Sequence, residues 1–155
     1  MAFLYPTHVV AAALLLRDTA GAVLMVRTAY REHLVLPGGL VENDEAPARA
    51  AEREVREETG LTCPAGSLLA VQHIPVRPDL PSTLQLIFDT PPVPVGVALV
   101  FPPDEVTELC WLAPADAAAA GGRWGVERIT AALAAQADGV VRYLDGPSSG
   151  RGPVR

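Results

Sequence analysis

The segment from Pro37 to Leu61 constrains this chain most, because its glycines, prolines and charges allow little except one helix with a carboxylate face. Pro37-Gly38-Gly39 ends a short apolar run, His33-Leu34-Val35-Leu36, and permits unusual backbone angles. Asn43 and Asp44 suit a helix start, Pro47 suits its first turn, and Gly60 can end it in a left-handed conformation. The spacing predicts a helix within residues 45–61 that packs through Ala48, Ala51, Val55 and Thr59. Glu54, Glu57 and Glu58 stand at i, i+3 and i+4 and share roughly 100° of arc on one face. Carboxylates so placed repel one another, and the helix dipole opposes them further near its C-terminal end. Either the face is a plain solvated one, or a cation compensates it. Oxygen ligands suit a hard divalent ion, with Mg²⁺ first and Mn²⁺ as a substitute. Gly38 and Gly39 have no side chains, so a backbone carbonyl there can approach a metal or substrate closely. Arg53 can hold a glutamate in a ligating geometry, and Glu52 with Arg56 makes an ordinary i,i+4 pair.

The defined positions run Gly39, five residues, Glu45, seven residues, Arg53-Glu54-Val55, one residue, Glu57-Glu58, one residue, Gly60-Leu61. This order resembles the Nudix box at all nine of its specified positions, a far more specific signal than a lone glycine motif. Leu36-Pro37-Gly38-Gly39 and the later Trp111-Leu112 also look like the Nudix family, which extends the likeness over about residues 8–137. The resemblance implies a mixed sheet sandwiched between helices and hydrolysis of a nucleoside diphosphate linked to another group. It implies that Glu54, Glu57 and Glu58 ligate metal, with the carbonyl of Gly39 or Gly38 as a further ligand. It implies that Arg53 and Glu45 support the loop and orient the ligands. Some relatives take another glutamate from beyond the box as ligand or base, and here Glu105 is the first candidate and Glu108 the second. The implied chemistry is in-line attack of water on phosphorus, with a carboxylate, Glu54, Glu57 or Glu105 among the candidates, taking the proton.

The rest of the chain reads as strands, one helix, more strands and one helix, an α/β or α+β arrangement with a mixed sheet. Residues 9–16 and 22–27 read as a strand hairpin, and residues 68–76, 84–88, 95–101 and 106–112 as further strands. Residues 114–120 suit a short helical turn. Residues 126–137 suit a closing helix with Ile129, Leu133 and Ala137 or Gln136 on one face. The length of 155 residues fits one domain, read as residues 1–145, followed by a Gly-, Pro- and Ser-rich tail at 146–155 read as disordered.

A net charge of −6 excludes a broad basic surface for nucleic acid but not a small phosphorylated substrate. Cys63 and Cys110 have no metal spacing and read as reduced thiols. No leader or apolar stretch of membrane-spanning length stands out, so the reading is a cytoplasmic protein without a membrane partner. The Ala- and Val-rich segments permit a homodimer. Substrate contacts are sought outside the box, at Arg27, Tyr30, Arg31, His33, Arg77 and Gln85 and at the backbone of Gly38. Tyr30 can stack a base, and Trp124 is read as packing. Two other readings stand beside the hydrolase. One is a non-catalytic module that senses a nucleotide or sugar. The other is a Nudix-fold isomerase, which would require a Cys and Glu pair.

Overall fold

The computed structural model describes residues 5–145; the tail read as disordered, residues 146–155, lies outside the described residues. Strand β1 (Val9–Leu15) is apolar throughout, and its last five residues are buried. Alternate residues of a strand face opposite ways, so Ala13 and Leu15 enter one core while Ala12 and Leu14 enter another. A strand covered on both faces reads as a continuous apolar run rather than an alternating one.

Helix α1 (Pro47–Thr59) covers one face through Ala50, Ala51, Val55 and Thr59. On the other face lie α2 (Pro114–Ala120) and α3 (Gly122–Asp138), with Ala117, Ile129, Ala132 and Ala135 in the core. Between them run β3 (Gly38–Leu40), β4 (Leu68–Ile74), β5 (Thr83–Asp89) and β7 (Arg142–Leu144), in the order β3-β1-β5-β4-β7. β1–β5 and β4–β7 are parallel, whereas β1–β3 and β4–β5 are antiparallel, so the sheet is mixed and lies between helices. A second, two-stranded sheet pairs β2 (Val23–Thr28) with β6 (Val106–Leu112). Among the described residues no helix is long and apolar enough to cross a membrane.

Several expectations need correction. The first two strands meet only at the bridge between Arg17 and Val23; beyond it β2 leaves for β6, so they form a reversal between two sheets rather than a hairpin. Residues 95–101 form no strand. Prolines flank them, Gly96 has φ 77°, and Val95 and Val100 are exposed. Neither Asn43 nor Asp44 caps α1: Ala46 holds the cap position without a side-chain bond, and Asp44 takes φ 62°. Ala48 is only partly buried, and the packing position is Ala50. Ala137 is exposed, and α3 packs through Ala135 instead. The short strand β7 was not expected.

Candidate active site

Gly38 and Gly39 do not break a strand, as their composition suggested; they are β3, paired with Ala13 and Ala12 of β1. They are glycine because of close approach rather than unusual backbone angles. A Cβ on Gly38 would collide with the Ala12 carbonyl oxygen, and one on Gly39 would sit 2.5 Å from the Glu54 carboxyl carbon. β3 and the glutamate face of α1 are thus pressed directly together.

Arg53 organises that contact. Its Nε and Nη2 donate to the two Glu45 carboxylate oxygens at 2.8 and 2.9 Å, a bidentate pair. Nη2 also donates to the Leu40 carbonyl at 3.1 Å, and Nη1 to Glu54 at 2.9 Å and Glu57 at 3.4 Å. The guanidinium holds the Glu45 carboxyl down at about 2. Glu45 closes the loop by accepting the Glu42 N–H at 3.1 Å.

The other two glutamates differ. Glu58 Oε2 accepts the Gly38 N–H at 3.1 Å. Burial, offset in part by that bond and reinforced by Glu54 and Glu105, pushes the Glu58 carboxyl up to about 8. Burial also raises Glu54, and Arg53 pulls against it. Glu57 is half exposed. The cluster therefore holds more negative charge than Arg53 neutralises, and its oxygen donors fit a hard divalent ion. Among the described residues no three acidic, His or Cys side chains stand preassembled around one point. Arg53 occupies Glu54 and Glu57, and Glu58 is turned onto Gly38.

Glu105 lies in the turn that follows Pro102, close enough for its charge to be felt at both Glu54 and Glu58. Glu108, the alternative, is taken by Arg27 at 3.0 Å in an exposed pair between β2 and β6. Arg27, which the sequence offered as a substrate contact, is thus paired with a carboxylate and does not line the cavity beside β3. Glu52 pairs with Arg49 at 2.5 Å, not with Arg56, and also accepts the Ala65 N–H.

Beside β3 opens a cavity of about 460 Å³. Its floor is Ala11, Ala13, Gln85 and Ile87 of the sheet, together with Gly38 and Gly39. Tyr30, Arg31 and His33 form one wall, Arg77 and Leu80 a second, and Trp124 and Arg128 of α3 a third. Tyr30, Arg31, His33, Arg77 and Gln85 all line this one cavity. Trp124 lines the cavity rather than packing in the core. Arg128 escaped the sequence reading: a single arginine on an amphipathic helix carries no signal until its partner Gln72, from a distant strand, is seen beside it. Neither Cys63 nor Cys110 lines this cavity.

Comparison with known proteins agrees with this geometry. A family model described as NUDIX domain matches residues 6–133. A "MutT-like protein" from Streptomyces ambofaciens is 33% identical over 109 residues, 70% of this chain and 66% of that protein. This chain therefore matches just under two thirds of the length of that curated relative. Among solved structures, the MutT protein from Methanosarcina mazei Go1 superposes with a TM-score of 0.69 at 21% identity, covering 88% of this chain and 99% of that one. A C. elegans Ap4A hydrolase superposes at 0.67 with 20% identity, covering 85% and 99%. With the box complete from Gly39 to Leu61 and pressed onto β3, and with the family model spanning most of the sequence, the chain belongs to the NUDIX family.

Proposed function

We propose that this protein is a pyrophosphohydrolase that cuts a diphosphate linkage in a nucleoside diphosphate derivative or nucleoside triphosphate, with Mg²⁺ as its metal and Mn²⁺ as a substitute. The observation that carries the reading is the arrangement of Glu54, Glu57 and Glu58 against the Gly38-Gly39 strand, at the edge of a cavity of nucleotide size. Glu54, Glu57 and Glu58 would hold the ion, with the Gly39 carbonyl as the nearest backbone oxygen. When bound, the ion supplies charge neutralisation at phosphate oxygens and acidifies water.

The chain's own groups do the rest. Arg53 orients Glu54 and Glu57 while its bidentate grip on Glu45 fixes the loop. Glu105 is the proton acceptor we favour, being unpaired with any cation among the described residues and felt at both Glu54 and Glu58. Tyr30, His33 and Trp124 offer faces on which a base can stack. The net charge of −6 favours a small nucleotide over nucleic acid as partner, and we take the protein to be cytoplasmic.

The test is a nucleotide panel with Mg²⁺ or Mn²⁺, reading released phosphate products, on the native chain and on Glu57→Gln. Turnover in the native chain and a loss of about a hundredfold or more in the variant, with an unchanged circular dichroism spectrum, is the expected result. Near-normal turnover in Glu57→Gln refutes the ligand assignment. Binding of nucleotides without any turnover favours the sensing module instead.

A further inference from the structure

Three of the arginines face the cavity, and none of them is in an ion pair among the described residues. Arg27, Arg49, Arg53 and Arg142 each take a carboxylate; Arg31, Arg77 and Arg128 do not. Arg77 Nε is buried and has no hydrogen-bond partner in the described structure. Arg128 Nε donates to Gln72 Oε1 at 2.8 Å, and Gln72 is wholly buried, with its own amide nitrogen donating to the Trp124 carbonyl at 3.2 Å. The Arg128 head group is therefore held by one neutral acceptor from beneath. Burial first, and then the like charges of Arg31 and Arg77, pull Arg128 down to about 10. Arg31 lies over the Tyr30 ring at 5.4 Å, and its charge is felt at Glu58 as well as at Arg128. Glu32 and Asp79 also line the cavity, yet the arginines outnumber them and neither acid pairs with one.

Gathering partly buried guanidinium groups without counter-charge is costly unless an anion completes the arrangement. Guanidinium forks match phosphate oxygens bidentately. The lining that carries the three arginines reaches Gly38 and Gly39 of β3 but none of Glu54, Glu57 and Glu58, so the arginines stand apart from the glutamate cluster while sharing its strand.

We propose that Arg31, Arg77 and Arg128 form a second anion subsite, which receives a phosphate of the substrate beyond the two joined by the bond that is cut. This rests on the hydrolase reading and deepens it. The substrate class becomes a nucleotide carrying a further phosphate, either along a longer phosphate chain or on the ribose. Gln72 is a positioning residue that fixes the Arg128 fork.

The subsite is tested by calorimetric binding to the full chain in excess chelator, so that no metal takes part. The probes are ADP, ATP for the longer chain, and an adenosine diphosphate phosphorylated on the ribose as well. The native protein should bind at least one of the latter two about tenfold or more tightly than ADP. The probe that gains reports where the further phosphate lies. Arg77→Gln and Arg128→Gln should each erase most of that preference, and Arg128→Lys should retain part of it. Equal affinity for all three probes overturns the proposal, as does a preference that survives in Arg77→Gln. If Arg128→Gln fails to fold, Arg77→Gln decides alone. Since binding here needs neither metal nor Glu57, loss of the hydrolase reading in the turnover panel and loss of this subsite are separate results.

Discussion

At the residue scale the site is governed by contact distances that leave no room. Gly39 touches a carboxyl group and Gly38 touches backbone, so the same substitution should act differently at the two. Gly39→Ala should displace Glu54 and reduce turnover by about tenfold or more while the melting temperature changes little. Gly38→Ala should instead cost about 1–3 kcal/mol of folding stability, because the Ala12 carbonyl cannot step aside. A thermal melt alongside an activity assay separates the two, and equal behaviour would contradict the geometry. Glu45 gives a prediction in pH. Its folded carboxyl is held at about 2, below its unfolded value, so the stability it lends is complete above the unfolded value and fades as pH falls toward 2. Urea midpoints measured between about pH 6 and pH 3 should fall less steeply in Glu45→Gln than in the native chain. Residue-scale legibility was uneven. Glu54, Glu57 and Glu58 declared themselves by helical spacing. Arg27 did not declare its Glu108 partner, and Arg128 did not declare Gln72, because those contacts join strands and helices 81 and 56 residues apart.

Among the elements, α1 was the most legible because periodicity, Pro47 and Gly60 all agree. Gly60 takes φ 76° and its N–H closes the helix on the Arg56 carbonyl. A side chain there would also meet the Val100 carbonyl oxygen at 3.2 Å. Gly60→Ala should therefore cost about 1–2 kcal/mol, and a drop in melting temperature of about 2–8 °C is the readout. Residues 95–101 misled because apolar composition marks a strand only where a neighbouring strand can pair with it. Here prolines on both sides remove donors and bend the chain, and the segment instead caps α1 through a bond from the Val100 N–H to the Thr59 carbonyl at 2.9 Å. β7 escaped because three residues at a sheet edge leave no period to read.

The whole molecule is two cores divided by its two sheets, and β1 and β2 each feed both. Leu14→Ala and Leu15→Ala open cavities on opposite sides, and each should cost about 2–5 kcal/mol by denaturant titration. The layered class was readable from the order of strands and helices, but the pairing was not. β1 is flanked by β3 and β5 rather than by its neighbour in sequence, and no local pattern carries that choice. The parallel register sets Val9 against Thr83 and Leu15 against Asp89. β1, an interior strand of the sheet, is thus made well before its parallel partner β5, and one of its edges must wait for about seventy more residues before it can be matched. Until then one edge of an apolar ribbon stands unpaired, and the slowest step in folding should be its capture by the β4–β5 pair, which forms locally.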